Sequence, residues 1–456
     1  MTNYVIIGTG AAGVSAAETI RKHDPKGKIT LIGEEPDGYY SRPGLAYILT
    51  GEIPESQLYP FAPEDFERLG IHLVSGQATG LDLARKQVTL ANGKALAYNR
   101  LLLATGAQAR PAGVPGEKLP NGETLPGVIQ LDNFANTREI VRRARKAKTA
   151  VVVGGGITAL ELVEGLVTLG VKTHYFLRGN RYWSNVLDEI ESRIVEYRLQ
   201  EEGIRIHFNT EIETILSRPT GLFGKGEIRV SAVKTKAGKI IPCEMVGVAV
   251  GVGPRLELAK AAGLKIEKGV VVEETMHTSH PDIYAAGDVA QVNDPLTGKP
   301  VMDVLWPTAR DQGRVAGANM AGVYTVYKKE IALNVTRLAG LTTTIIGTVG
   351  GKTPDNDTIG IVRGDSETWR EIPDAIAAQS NFDVNRIRLM VGEKTLLGAI
   401  VMGDQTLSSP IHRLVADQVD ITPIRERLLQ SDGQVGEVIA GFWTQVNGGG
   451  SRNVKP

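Results

Sequence analysis

The 456-residue sequence predicts an α/β protein: two Rossmann-like βαβ units on parallel sheets, then an α+β C-terminal region. Three observations carry this. A strand of buried type, "YVIIG" (4–8), runs into the turn "GTGAAG", a helix pattern over 11–23 and a second strand, "KITLIG" (28–33). The same order recurs at 149–177, with strand "TAVVV", turn "GGGITA", a helix pattern over 157–169 and a strand over 171–177. From about residue 325 the texture changes to stretches such as "RIRLMVGEKTLLGAIVMG" (386–403), whose alternation marks an antiparallel hairpin.

Each element has a local reason. A short β-branched run ending in glycine reads as a buried strand, and two parallel neighbours need a right-handed crossover, here the intervening helix. "NRLLLATGA" (99–107) is a further apolar strand ending in a Thr-Gly turn. The proline- and glycine-rich stretch 111–127 reads as a boundary and precedes an arginine-rich helix pattern over 133–147. "CEMVGVAVGVGP" (243–254) and "DIYAAGDVA" (282–290) are strand ends, followed by a helix pattern from about Ala309 to Ala321. Helix patterns follow at 408–416 and 422–430, and the tail "NGGGSRNVKP" reads as loose.

Composition narrows the function. Lys plus Arg and Asp plus Glu both number 51, so there is no basic excess for nucleic acid or an anionic membrane. No apolar run approaches the ~20 residues of a membrane span. The single cysteine, Cys243, forms no internal disulfide and implies no oxidising compartment. No signal-peptide pattern is seen at the N-terminus, so the expectation is a soluble cytoplasmic protein. His277 and His280 stand at H-x2-H without further ligands nearby, so they read as turn residues and no metal is expected.

The first glycine turn places Gly8, Gly10 and Gly13 at G-x-G-x-x-G. The first makes the tight turn, the second admits a pyrophosphate to the backbone, and the third lets helix and strand pack closely. The helix N-terminus then directs free N–H groups and its positive dipole end at the phosphates. Glu34 ends the next strand, where a ribose hydroxyl would be held. The second turn, Gly154, Gly156 and Ala159, fits G-x-G-x-x-A. Its following strand ends in "LRGNR" with no acid, and Arg178 and Arg181 there suit a 2′-phosphate, which tilts the coenzyme toward NADPH.

Two such sites in one chain suggest electron traffic between two dinucleotides. "GTGAAG" with Glu34, "LLLATGA", "VVVGGGITALE", "TSHPDIYAAGDVA" and "LWPTARDQGRVAG" stand in the order found in the two-dinucleotide-binding flavoproteins. Over roughly residues 1–322 the chain therefore resembles the glutathione-reductase-like family. The resemblance implies FAD in the first unit and NAD(P)H in the second. It assigns Gly8, Gly10, Ala12, Gly13 and Glu34 to the ADP half of FAD. Thr105 and Gly106 fall near the flavin nucleotide, and Gly287 and Asp288 near its ribityl–pyrophosphate. Trp306 opens a flavin-contacting helix. Glu161 falls near the nicotinamide. The implied domains are 1–114 with 252–324 for FAD, 115–251 for NAD(P)H, and 325–456 as an interface domain that pairs subunits in relatives, so a homodimer is expected. The segment 351–384 reads as an inserted or divergent piece.

Disulfide reductases of this fold carry a redox cysteine after the first acidic residue. The matching stretch here, "YYSRPGLAYIL" (39–49), has none, so electrons must leave for an external acceptor. This stretch resembles the branch of ferredoxin reductases, rubredoxin reductases and nitrite reductase flavin modules. The resemblance makes Arg42 a candidate for FAD phosphate. Tyr47 replaces a lysine frequent in oxygenase-coupled relatives, which departs from that coupling. The expected activity is hydride transfer from NAD(P)H to FAD and onward transfer to a small iron–sulfur or rubredoxin-type protein. Three alternatives stay open: a quinone acceptor, suggested by "ARDQGRVAGAN" (309–319); a flavin-bound interaction or signalling role; and an electron-input subunit of a larger complex.

Overall fold

A computed structural model of the chain describes residues 1–220, 226–293, 300–349, 376–382, 385–430 and 434–449. The chain forms two compact units. One comprises Met1–Arg178 with Gly203–Lys329, and the other comprises Gly179–Glu202 with the described residues from Glu330 onward.

The first unit holds two five-stranded parallel sheets. In one, the strands run in the spatial order Ile283–Ala285, Arg100–Leu103, Asn3–Ile7, Lys28–Gly33, Ile71–Ser75. In the other the order is Arg205–His207, Lys172–Phe176, Thr149–Val153, Met245–Val248, Val128–Ile129. In each sheet the strand that runs into a glycine turn is central. Register pairs Val5 with Thr30 in one sheet and Val151 with His174 in the other, so both β–turn–α units point their turns out of the C-terminal ends of the strands. That edge of an open parallel sheet is where ligands bind. The central strands are mostly apolar because both faces are covered: Val5, Ile6, Val151 and Val152 are all buried, and Val151 shares a core with Ile212, Ile215 and Val233 of a neighbouring antiparallel sheet.

Helix Ala11–His23 follows the first turn and helix Ile157–Thr168 the second. Helix Trp306–Met320 lies against Ala11–His23 at very short range. Gly313 and Gly317 stand one turn apart, and a Cβ on them would meet the Ala12 and Ala16 carbonyl oxygens at 2.2 and 2.5 Å. A two-stranded ribbon, Ala107–Ala109 against Val252–Pro254, carries the chain between the two sheets and back.

The second unit centres on an antiparallel sheet ordered Leu333–Leu338, Leu341–Gly347, Leu396–Met402, Asn385–Val391, Ile376–Phe382. The hairpin expected over 386–403 is its centre, and helices Ser408–Ala416 and Thr422–Gln430 occupy the expected spans. Helix Val435–Gly449 extends into the stretch from 447 that the sequence marks as loose; Val435, Val438, Ile439 and Phe442 bury an i, i+3, i+4, i+7 stripe that overrides its glycines. Of the tail, 450–456 lie outside the described residues, as does the 351–384 piece except for the strand Ile376–Phe382. Helix Glu189–Glu201 belongs to this unit, its N-terminus closed by a capping box between Asp188 and Glu191.

Candidate functional site

The first glycine turn is shaped around two tight contacts and one opening. Gly8 has φ +120°, and a Cβ on it would lie 2.0 Å from the Ala104 carbonyl oxygen. A Cβ on Gly13 would lie 2.0 Å from the Gly8 carbonyl oxygen, so strand, turn and helix admit no side chain there. A Cβ on Gly10 would meet nothing within 4 Å. The turn therefore leaves a bare face at Gly10, which caps helix Ala11–His23 without a side-chain hydrogen bond to its first-turn N–H groups. That is the cradle a pyrophosphate fills. Ala12 is buried against Gly287, whose Cβ position is 3.1 Å from the Ala12 methyl.

The second turn shares the tight first glycine. Gly154 has φ +143°, with the Ala249 carbonyl oxygen 2.2 Å and the Ala159 methyl 2.9 Å from its Cβ position, while Gly155 faces open space. Gly156 caps helix Ile157–Thr168. Glu161 lies half-buried on that helix. Arg178 is exposed just past strand Lys172–Phe176. Arg181, in the second unit, is half-buried and donates Nη2 to the Ser184 carbonyl at 3.1 Å.

Around the first turn the structure assembles partners that sequence reasoning missed. Glu34 Oε1 receives Arg255 Nη1 at 2.5 Å. The Thr105 hydroxyl donates to the Arg255 carbonyl at 3.1 Å, and the Arg255 N–H donates to the Gly106 carbonyl at 3.0 Å. Gly106 has φ +68° with open space at its Cβ position. Arg42 is ion-paired to Glu35 and donates Nη1 to the Asp132 carbonyl at 2.8 Å. Tyr40 donates to Glu35 Oε2 at 2.5 Å, and its burial pushes the phenol well up. Arg42 thus has two protein partners. The sequence singled out Glu34 and Arg42 by motif, but Arg255 stands 221 residues from its carboxylate and follows the strand Val252–Pro254 with no pattern of its own.

Gly287 donates its N–H to Gln312 Oε1 at 2.8 Å, tying the "AAGD" turn to helix Trp306–Met320. Asp288 is half-buried beside it. Trp306 is the first residue of that helix, with the Arg310 guanidinium 4.8 Å over its ring. Tyr47 is half-buried on the short helix Leu45–Leu49, which packs against Ile157–Thr168. Cys243 is buried, and desolvation pushes its thiol up to about 12, so it is no thiolate at neutral pH. His277 bonds Thr275 Oγ1 at 2.9 Å, and His280 Nδ1 accepts the Asp282 N–H at 3.3 Å, so the two imidazoles serve separate turns. Among the described residues no three His, Cys, Asp or Glu side chains gather as a metal site, and no helix is long and apolar enough to cross a membrane.

The model of the pyridine nucleotide-disulphide oxidoreductase family matches residues 2–313. The chain belongs to that family. It is an oxidoreductase that uses FAD and a pyridine nucleotide, and the two glycine cradles fit one dinucleotide each. Rubredoxin-NAD(+) reductase of Pseudomonas putida is 31% identical over 325 residues, 70% of this chain and 80% of that protein. The epsilon subunit of the NADH-dependent phenylglyoxylate dehydrogenase of Aromatoleum evansii is 25% identical over 446 residues, 97% of this chain and 98% of that one. Putidaredoxin reductase, solved in a covalent complex with putidaredoxin, shares the fold with a TM-score of 0.80 over 96% of this chain and 98% of that one, at 24% identity.

Proposed function

We propose that this family member passes electrons from NAD(P)H through FAD to a small external carrier of the iron–sulfur or rubredoxin type. One observation carries the reading: two dinucleotide cradles stand in a chain whose single cysteine is buried and held as a thiol. A dithiol relay is therefore impossible within the chain, and the reducing equivalents must leave from the flavin. The rubredoxin reductase likeness supports an electron-carrier protein as the destination.

Bound FAD supplies the conversion of a two-electron hydride into single electrons. The chain supplies the rest. Gly8, Gly10 and Gly13 with the N-terminus of Ala11–His23 hold the FAD pyrophosphate by backbone N–H groups. Glu34 accepts a ribose hydroxyl, and Thr105, Gly106, Gly287 and Asp288 border the remainder of the nucleotide. Ala12 forms part of the wall beneath Gly287, and Trp306 opens the helix beside the flavin. Gly154, Gly156 and Ala159 hold the coenzyme pyrophosphate, Glu161 orients the nicotinamide, and Tyr47 lines that side. Arg178 reads a 2′-phosphate, with Arg181 as its neighbour in sequence. Arg42 supports the FAD side by holding Glu35. Binding and alignment are the protein's contribution to hydride transfer.

The domain division given by the motifs, 1–114 with 252–324, 115–251 and 325–456, is part of this proposal, as is a homodimer formed by the last segment. A cytoplasmic location accords with a lone thiol that needs no oxidising compartment. A second reading has one observation in its favour. The phenylglyoxylate dehydrogenase subunit matches 97% of the chain, where the rubredoxin reductase matches 70%, so an electron-input subunit of a larger complex is the alternative.

The test is stopped-flow reduction with NADH and NADPH followed by a panel of rubredoxin, ferredoxin, quinone and dioxygen. Rubredoxin or ferredoxin should be reduced at least tenfold faster than quinone. Preference for quinone, or co-purification with a further redox subunit on which turnover depends, overturns the primary reading. Arg178→Ala should lower kcat/KM for NADPH and leave that for NADH unchanged; an equal change in both refutes the role of Arg178.

A further inference from the structure

Arg255 has no assigned task in the cofactor site, yet it touches three parts of it. Its Nη1 lies 2.5 Å from Glu34 Oε1, its N–H donates to the Gly106 carbonyl at 3.0 Å, and its carbonyl accepts the Thr105 hydroxyl at 3.1 Å. Its Nη2 is 4.0 Å from Asp132 Oδ2, and Asp132 Oδ1 in turn accepts the Ala109 N–H at 3.2 Å. Arg255 directly follows Val252–Pro254, one strand of the ribbon that links the two sheets. Its side chain is 23% exposed, against 40% for Glu34. An unsupported glutamate that exposed would sample several rotamers and lose conformational entropy when it takes up a ligand.

We infer that Arg255 is a positioning residue for FAD, acting by holding Glu34 in the conformation that accepts the adenosine ribose. The inference rests on the reading of Glu34 as that acceptor. The chemistry suits the role. A carboxylate offers about four lone-pair sites on its two oxygens. The guanidinium occupies Oε1, and Oε2 is left to take a hydroxyl proton. The backbone of Arg255 is itself tied to Thr105 and Gly106, so the carboxylate is referenced to the turn that borders the same nucleotide. The planar fork places Nη1 on Glu34 and turns Nη2 toward Asp132 at 4.0 Å, so one plane faces both acids. Preorganisation of this kind raises affinity by lowering the ordering cost of binding.

The experiment measures FAD affinity of the stripped protein by quenching of flavin fluorescence, for wild type, Arg255→Met, Arg255→Lys, Glu34→Gln and the double variant Glu34→Gln/Arg255→Met. The same series is run with FAD lacking the adenosine 2′-hydroxyl. Arg255→Met should weaken FAD binding by about tenfold, the scale of one charge-assisted contact. Arg255→Lys should recover part of that loss. The double variant should bind within about twofold of Glu34→Gln, because one residue acts through the other. With the deoxy analogue the effect of Arg255→Met should shrink to about twofold or less, an outcome that simple loss of fold stability would not produce. If Glu34→Gln binds FAD as well as wild type, the reading of Glu34 falls and the inference with it. If Glu34→Gln is weak but Arg255→Met binds normally, or the two losses multiply, or the deoxy analogue shows the full Arg255→Met effect, the inference alone falls.

Discussion

Arg388→Met tests how the second unit is held together. The Arg388 guanidinium donates Nε to Glu191 Oε1 at 2.9 Å, Nη1 to the Val349 carbonyl at 3.1 Å and Nη2 to the Val186 carbonyl at 2.7 Å. Glu191 is fully buried, and desolvation pushes its carboxyl above the usual range while Arg388 pulls it down. Removing the cation leaves Glu191 with the Asp188 N–H at 2.9 Å and Arg386 Nε at 3.8 Å. Loss of one partner of a buried pair costs ~3–5 kcal/mol, and two carbonyls lose their donor at ~1 kcal/mol each. The remaining contact with Arg386 offsets part of this, so we expect a loss of about 4 kcal/mol, read by urea denaturation followed by tryptophan fluorescence. The companion Arg388→Met/Glu191→Leu removes both charges and should recover about half of the loss, since the Val349 and Val186 carbonyls stay without their donor. The penalty should also shrink on acidification. A carboxyl whose folded pKa is raised destabilises the fold above that pKa, and the cost is relieved as falling pH protonates it. A loss below 1 kcal/mol in the single variant, or no recovery in the double one, refutes the reasoning.

The other expectations concern the cradle and two titratable groups. Gly10→Ala should fold normally, since φ is −82° and the Cβ meets open space, yet bind FAD more than tenfold more weakly; normal FAD binding would show that no phosphate approaches there. Gly8→Ala, at φ +120°, should instead fail to accumulate as folded protein. Cys243→Ser should leave turnover unchanged, and the native thiol should not react with a disulfide reagent at pH 8, because burial holds it at about 12. His174 Nδ1 and His207 Nε2 share a contact of 2.8 Å, and burial with the neighbouring imidazole pushes His174 down to about 4 from 6.5. A histidine held neutral stabilises the fold above its unfolded pKa, and that stability drains as pH falls from 6.5 toward 4. His174→Gln should flatten this acid limb of the pH–stability profile; an unchanged limb would contradict it.

Much of the candidate site was readable because its physics is local. A glycine turn between strand and helix needs φ above zero at Gly8 and Gly154 and no side chain at Gly13, and both requirements are met within ten residues of chain. The helices over 11–23, 408–416 and 422–430 were legible for the same reason: each is an apolar stripe at the helical period. The helix Val435–Gly449 was not, since Gly436, Gly441 and the glycines at its end mask a period that tertiary burial nonetheless rewards. Arg386 and Arg388 sit two apart in an apolar strand and so share one face, a pattern that could have announced buried charge, but their acids lie about 200 residues upstream.

The sequence by itself determined that this chain builds two nucleotide cradles and owns no second thiol, because backbone sterics at glycine and the count of sulfur atoms need no knowledge of distant residues. Only the tertiary structure decided which acid meets which base. Glu34 takes Arg255 and Glu191 takes Arg388 across 221 and 197 residues, because ion pairing depends on distance in space and the fold, not any spacing along the chain, brings these partners together.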